Sequence, residues 1–446
     1  MTNRPGTMIR HLVLGASLGL ALSGCGTDGW FGDSEPPPLP GERISVLQMD
    51  RRIEPDPDVS GVPVTLPAAT TNEGWPQAGG RPGHSMGHLA LSSSPREAWR
   101  RSVGEGSSST RRLTAPPIVV QGRIYAMDAD HDVAAFDEGS GRELWRVDLR
   151  PESERGDALG GGLGFGEGIL FATTGFGEVV ALDPASGAVR WRARAGVPLR
   201  AAPTIANGRV FVVSVDNQAF AFDTSGNQLW SHTGIMETAG LLGAAAPAAD
   251  GSVVVVPYSS GELFALRVEN GSLAWSDSLA AIRRVGALSG LADIRGMPVI
   301  DRGLVLAVSH SGRMAAVDER SGIRVWEREI GGTNMPWVAG DYVFVLSNEG
   351  EVVAMTRDGG RVRWVASLPR WRDPNDRQDA ILWSGPVLAG NRLWLVNNQG
   401  ELVALSPEDG SVVSTQTLAA GALIAPVVAN GTLYVLSDDG TLTAIR

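Results

Sequence analysis

A strand–turn–strand unit recurs along almost the whole chain. Its clearest copy is Val179–Trp191, Val-Val-Ala-Leu-Asp-Pro-Ala-Ser-Gly-Ala-Val-Arg-Trp. Val180, Leu182 and Asp183 fit a pleated, half-buried strand. Pro184-Ala185-Ser186-Gly187 is turn chemistry, because Pro presets φ and Gly accepts positive φ. Val189 and Trp191 restart the alternation. Further copies end at Trp145, Trp230, Trp275, Trp326 and Trp364, and Leu402 to Thr415 is a variant with Thr in place of the Trp. Ahead of each unit stands another alternating run introduced by a turn, such as Arg209-Val210-Phe211-Val212-Val213.

Tryptophans at 99, 145, 191, 230, 275, 326 and 364, with Thr415 in the eighth place, are spaced by 46, 46, 39, 45, 51, 38 and 51 residues. Short strands repeating every 40–50 residues or so define a β-propeller of four-stranded blades. The last residues supply inner strands with no outer strand after them, whereas Glu97–Val103 is an outer strand with none before it. Together they make one blade and close the ring. The expected fold is therefore all-β, an eight-bladed propeller of antiparallel blades over residues 74–446. Closure removes exposed sheet edges. Trp99, Trp145, Trp191, Trp230, Trp275, Trp326 and Trp364 are expected to be structural, each packing on a turn of the neighbouring blade. Burying about 150–250 Å² per indole gives up to roughly 4–6 kcal/mol.

The formal net charge of −11 argues against general nucleic-acid binding, which needs a positive footprint. The single cysteine, Cys25, excludes an internal disulfide. It closes an N-terminal pattern. Arg4 and Arg10 precede an apolar run, His11 to Leu22, that is short for a membrane span and has the proportions of a secretion signal. Leu22-Ser23-Gly24-Cys25 resembles the bacterial lipobox, which implies cleavage before a lipid-modified Cys25. Residues 1–24 are then a signal peptide, and the mature chain is anchored to a membrane rather than spanning it. Gly26 in place of Asp implies, by the same resemblance, the periplasmic face of the outer membrane. Loss of the signal, with two arginines, makes the net charge −13. Residues 25–73 are Pro-rich and acidic and read as a tether.

Other candidate chemistry reads as structural. Asp128-Ala129-Asp130-His131-Asp132 has alternate acids but lacks the Gly and distal Glu of an EF-hand loop. His84 and His88 are spaced as helical metal ligands, yet Pro82, Gly83 and Gly87 oppose a helix. Asp373 to Asp379 is a polar insertion between blades. No nucleophile-elbow, P-loop or zincin pattern occurs.

The Ala-x-Asp-x-x-(Ser/Thr)-Gly-x-x-x-Trp pattern resembles the repeat of pyrroloquinoline-quinone propellers. That resemblance implies an alternative, a quinone-dependent oxidoreductase. The larger quinoprotein dehydrogenases carry a vicinal disulfide that this chain cannot form. Lipobox, tether and eight blades together are similar to the BamB family, lipoproteins of the outer-membrane β-barrel assembly machinery. Leu199-Arg200-Ala201-Ala202-Pro203 and Leu288 to Val299 resemble two of that family's inter-blade loops. The resemblance implies a non-catalytic scaffold without cofactor or metal. It docks on POTRA domains of the BamA barrel protein, contacts other subunits of the machinery, and assists outer-membrane β-barrel clients. The implied contact residues are Val197, Leu199, Arg200 and Asp293. Arg295 stands where the second loop motif has an acid. A third reading is a propeller with a different envelope partner.

Overall fold

The computed structural model describes residues 53–237, 240–280 and 291–446. Cys25, the signal peptide and residues 25–52 of the expected tether lie outside the described residues. Among those described, eight four-stranded antiparallel sheets follow one another. Numbered along the chain, blades 1–7 span residues 118–148, 161–194, 204–233, 248–278, 299–328, 337–367 and 383–417. Blade 8 is built from Val427–Ala429, Thr432–Leu436 and Thr441–Ile445, with Glu97–Ser102 as its outer strand. The ring closes as the two chain ends require. Trp99 pairs with Ala444, and Arg96 and Arg446 exchange backbone hydrogen bonds of 2.6 and 2.8 Å.

In every blade one register is kept. An alanine of the third strand lies opposite the outer-strand tryptophan: Ala135–Trp145, Ala181–Trp191, Ala221–Trp230, Ala265–Trp275, Ala316–Trp326, Ala354–Trp364 and Ala444–Trp99. In blade 7 the partner of Ala404 is Ser414. The eighth place therefore belongs to Ser414, one residue before the Thr415 expected from the sequence.

Each indole reaches the next blade. Trp145, Trp191, Trp230, Trp275, Trp326 and Trp364 donate Nε1–H to the carbonyls of Pro184, Thr224, Val268, Glu319, Arg357 and Pro407, at 2.6–3.1 Å. The ring lies on the turn glycine. A Cβ added to Gly187 would sit 2.6 Å from the Trp145 ring, and Gly187 has φ +74°. The turn is held by Asp183, whose Oδ1 accepts from the Ala185 and Ser186 amides. The Arg190 guanidinium and then the Ser186 hydroxyl hold that carboxyl down to about 2. Trp99 rests on Gly141 likewise, but its N–H has no partner among the described residues. The matching carbonyl, Glu138 O, accepts from Arg446 Nη2 at 3.0 Å instead. Ser414 is small for a reason of connectivity. In blade 8 the third strand ends at Ile445 and the outer strand is Glu97–Ser102, from the other end of the chain. No turn joins them, so an indole on blade 7 would have nothing to cover.

The segment before the first outer strand is an inner strap. Residues 72–89 bond to the innermost part of all eight blades in ring order. Asn72 O accepts from Asn430, Trp75 O from Val119, Pro76 O from Phe165 and Gln77 Oε1 from Ile205, at 2.7–3.0 Å. Pro82 O and Gly83 O accept from Ala249 and Ile300, both 2.8 Å. Gly87 O accepts from Trp337 Nε1 at 2.8 Å, and Leu89 N donates to Leu388 O at 3.2 Å. The two histidines serve this strap. His84 Nδ1 bonds Pro298 O (2.7 Å), and His88 Nδ1 bonds Pro67 O (2.8 Å).

Residues 53–73, expected to belong to the tether, also lie on the ring. Asp56 N bonds Val362 O (2.8 Å), Arg361 pairs with Asp56 and Asp58, and Val64 and Asn72 are buried. Although Pro-rich, this stretch finds partners for its backbone on blades 6 and 8.

Candidate partner-binding surface

The two resembling loops meet on the face of the ring that carries the links between blades. Leu199 and Arg200 precede the inner strand of blade 3. Their backbone is fixed from both sides: Arg200 N donates to Val213 O (3.2 Å) and Arg200 O accepts from Gly161 N (3.3 Å). Gly160 allows this approach, since a Cβ there would sit 2.6 Å from Leu199 O. Leu199 itself is fully buried, packed with Phe171, Val179 and Phe220 among others. Leu199, one of the implied contact residues, is therefore a core side chain with no exposed surface of its own. Val197 is half-buried against the same cluster.

Arg200 reaches across to the blade 3–blade 4 link, where Nη2 donates to Leu241 O. Asp293, 3 % exposed, accepts from Leu241 N at 2.8 Å, and its own carbonyl accepts from His310 N at 2.9 Å. Arg295 Nε donates to Leu242 O at 2.8 Å. One link is thus bracketed by three charged side chains from blades 3 and 5. Burial raises the Asp293 pKa, opposed by the Leu241 amide and by Arg200, Arg295 and His310. Burial lowers that of Arg295, opposed by Asp293. The structure therefore brings Arg200 and Asp293 together as loop anchors. Arg295, at the motif's acidic position, completes the bracket. Residues 288–290 of the second loop lie outside the described residues.

Around Arg200 lies exposed apolar surface that sequence reading did not single out. Leu159, Val215, Met236 and Leu242 are 39 %, 37 %, 66 % and 49 % exposed and line a groove of about 400 Å³ with Arg200 and Glu237. They come from three loops, the link into blade 2, a turn of blade 3 and the link from blade 3 to blade 4, so no local period in the sequence marks them as one patch. A second, larger cavity of about 750 Å³ opens on this face over the strap. Trp75, Trp337, Met297, Met335, Trp383 and Arg295 are among its walls, and the indoles of Trp75 and Trp337 stack at 6.3 Å.

The acidic run at 128–132 is a turn. Asp128 Oδ1 accepts from the Asp130 and Asp132 amides, both 2.9 Å, and Oδ2 from Glu105 N at 2.8 Å. Among the described residues no cluster of three His, Cys, Asp or Glu is arranged to hold a metal ion. The 373–379 insertion forms a hairpin, Trp371–Asp373 with Gln378–Ala380.

A family model described as outer membrane protein assembly factor BamB matches residues 129–366 and 369–446. The chain is similar to proteins of that name from Salmonella typhimurium and Escherichia coli. Each is 28 % identical over 357 residues, covering 79 % of this chain and 88 % of the relative. Among solved structures, BamB from Moraxella catarrhalis superposes with a TM-score of 0.62 at 23 % identity, over 78 % of this chain and 98 % of that one. The quinohemoprotein alcohol dehydrogenase of Comamonas testosteroni superposes with a TM-score of 0.65 at 14 % identity, over 84 % and 81 %. At such identities the two structures establish the shared fold alone.

Proposed function

As the chain belongs to the BamB family, we propose that it is a non-catalytic subunit of an outer-membrane β-barrel assembly machinery. In this reading it is lipid-anchored through Cys25 at the periplasmic face of the outer membrane. It docks on POTRA domains of a BamA-type barrel protein and helps barrel clients to fold and insert.

One observation carries the docking site. The Arg200–Asp293–Arg295 bracket holds the 240–243 link rigid beside an exposed apolar groove. Arg beside apolar area is a favoured interface composition, and a loop on a rigid scaffold is a suitable place for it. Val197 is half-buried in the same loop, Leu199 sets that loop from below, and Asp293 sets the link.

The test is co-purification from detergent-solubilised membranes, using the full chain with an affinity tag on a flexible linker. Met236→Asp is expected to lower recovery of a POTRA-containing partner about tenfold with melting unchanged, and Arg200→Glu to lower it as well while also loosening the 240–243 link, because Leu241 O loses its donor and a second carboxylate stands near Asp293. Leu199→Ala is expected to lower stability by about 2–5 kcal/mol, as a buried-leucine truncation does. Full recovery with both surface variants would move the docking site elsewhere. No POTRA-containing partner with the unaltered chain would remove the assembly role.

A further inference from the structure

The cavity of about 750 Å³ over the strap falls in the size range that takes a whole ligand. Trp75, Ala78 and Gly79 of the strap lie beneath it, so it is a blind funnel.

The half of the funnel on blades 6 and 7 is preformed. Among the described links between blades, only that from blade 6 to blade 7 carries a hairpin. Arg370, Trp371, Ile381 and Leu382, at the base of this hairpin, line the cavity. The base is fixed from three sides. Ile381 N donates to Arg370 O and Trp383 Nε1 to Pro369 O, both at 2.8 Å. Asn398 spans the returning strand: its Nδ2 donates to Ala380 O and its Oδ1 accepts from Leu382 N, both at 3.0 Å.

The wall offers three kinds of group. Trp371, Trp383, Met335 and Leu382 give apolar surface, with Leu382 53 % exposed. Asn334 and Asn348 give amides. Asn334 Oδ1 accepts from Gly385 N at 3.2 Å, and Asn348 Nδ2 donates to His310 O at 2.8 Å. Those partners fix the orientation of both amides. A donor, Asn334 Nδ2, and an acceptor, Asn348 Oδ1, then have no partner among the described residues. A peptide backbone presents the complementary pair. The third kind is positive charge. Arg112, Arg295 and Arg370 stand in the wall against one carboxylate, Asp438, in a chain whose net charge is −11. Arg112 and Arg370 are exposed and make no side-chain hydrogen bond or ion pair among the described residues. Arg370 passes beside the turn that carries Asn348: a Cβ on Gly350 would lie 3.3 Å from Arg370 Cγ. The hairpin's own acids, Asp373, Asp376 and Asp379, are not in the wall.

We propose that this half of the funnel binds a peptide segment of another protein in which an aromatic or large apolar residue is flanked by carboxylates. The apolar side chain enters between Trp371, Trp383 and Leu382. One peptide group bonds Asn334 and Asn348, and a flanking carboxylate pairs with Arg370, whose planar fork matches it. The strap bars a chain from passing through, so the segment inserts one side chain and turns back. Leu242 and Arg295 belong both to this wall and to the surface on blades 3 to 5, so the variants that test the funnel avoid them.

The test is isothermal titration of the detergent-solubilised full chain. The probe is the peptide acetyl-Gly-Asp-Phe-Asp-Gly-amide, compared with its Asn-Phe-Asn isostere and its Asp-Ala-Asp truncation. The acidic Phe peptide is expected to bind with a Kd of about 0.1 mM or tighter, and the other two about tenfold more weakly. Arg370→Gln should weaken the acidic peptide about tenfold and leave the Asn isostere unchanged, a coupling that a merely structural effect would not give. Leu382→Ala should weaken both peptides alike. Arg372→Gln, one residue along the hairpin and outside the wall, should change nothing. Equal binding of the acidic and Asn peptides would overturn the site, as would absence of binding to the unaltered chain. So would unchanged binding with Arg370→Gln, or an equal loss with Arg372→Gln. N-acetyl-phenylalanine binding as tightly as the peptide would overturn it too, by making the funnel a small-molecule pocket. Recovery of the POTRA-containing partner with Arg370→Gln is expected to be unchanged; its loss would make the funnel part of the docking surface and overturn a separate site.

Discussion

At the scale of single residues, the repeat is a contact between two blades as much as a pattern within one. Alanine opposite the indole and glycine beneath it are complementary parts of one joint. Trp230 fills it fully, with its N–H on Val268 O at 3.0 Å. Trp230→Ala is expected to cost about 3–5 kcal/mol. Trp230→Phe should cost less, about 1 kcal/mol for the lost hydrogen bond plus the packing difference. Gly187→Ala should also destabilise, because the methyl meets the Trp145 ring and φ is +74°. Chemical denaturation of the three variants checks the ranking. Ser414 tests the converse. Ser414→Trp is expected to bring no gain in melting temperature, since blade 8 has no turn for the indole to cover.

At the scale of elements, the strap at 72–89 is what eight inner strands share. Its most sensitive point is His84, 2 % exposed, which burial holds down to about 4. A histidine depressed in the folded state binds its proton more readily when unfolded. Stability is therefore full above about pH 6.5 and falls as pH drops through the window between 6.5 and 4. The loss across that window is on the order of 3 kcal/mol. His84→Asn, a residue that tolerates the φ of +63° at this position, should flatten the slope. Thermal melts of both proteins between pH 7.5 and 4.5 measure it; parallel slopes would show that the strap does not titrate there.

At the scale of the molecule, closure depends on six residues from one end of the chain pairing with six from near the other. Thr441 to Arg446 supplies the partner of Glu97–Ser102, and Arg446 also binds Glu138 O and Gly139 O in blade 1. Ending the chain at Gly440 should therefore open the ring. Loss of the cooperative melt and rapid proteolysis between blades are the expected outcome. Retention of the full transition would mean that the strap alone holds blades 8 and 1 together. The same connectivity explains why the eighth joint lacks its tryptophan and why Trp99 lacks its acceptor.

The sequence alone determined the ring: strand period, blade number and the order of closure follow from where Asp, Gly and Trp recur, because each acts through neighbours close in the chain. Through resemblance it also named Val197, Leu199, Arg200 and Asp293 together, without revealing that Leu199 and Asp293 are buried. Burial of a single leucine depends on which blade lies beside it, and no local pattern encodes that. The strap, the docking of residues 53–73 and the apolar groove were equally illegible. Each joins residues more than fifty positions apart through backbone groups or lone side chains, and a backbone hydrogen bond leaves no residue type behind to be read. Tertiary structure decided those features because only the closed ring brings their partners within reach.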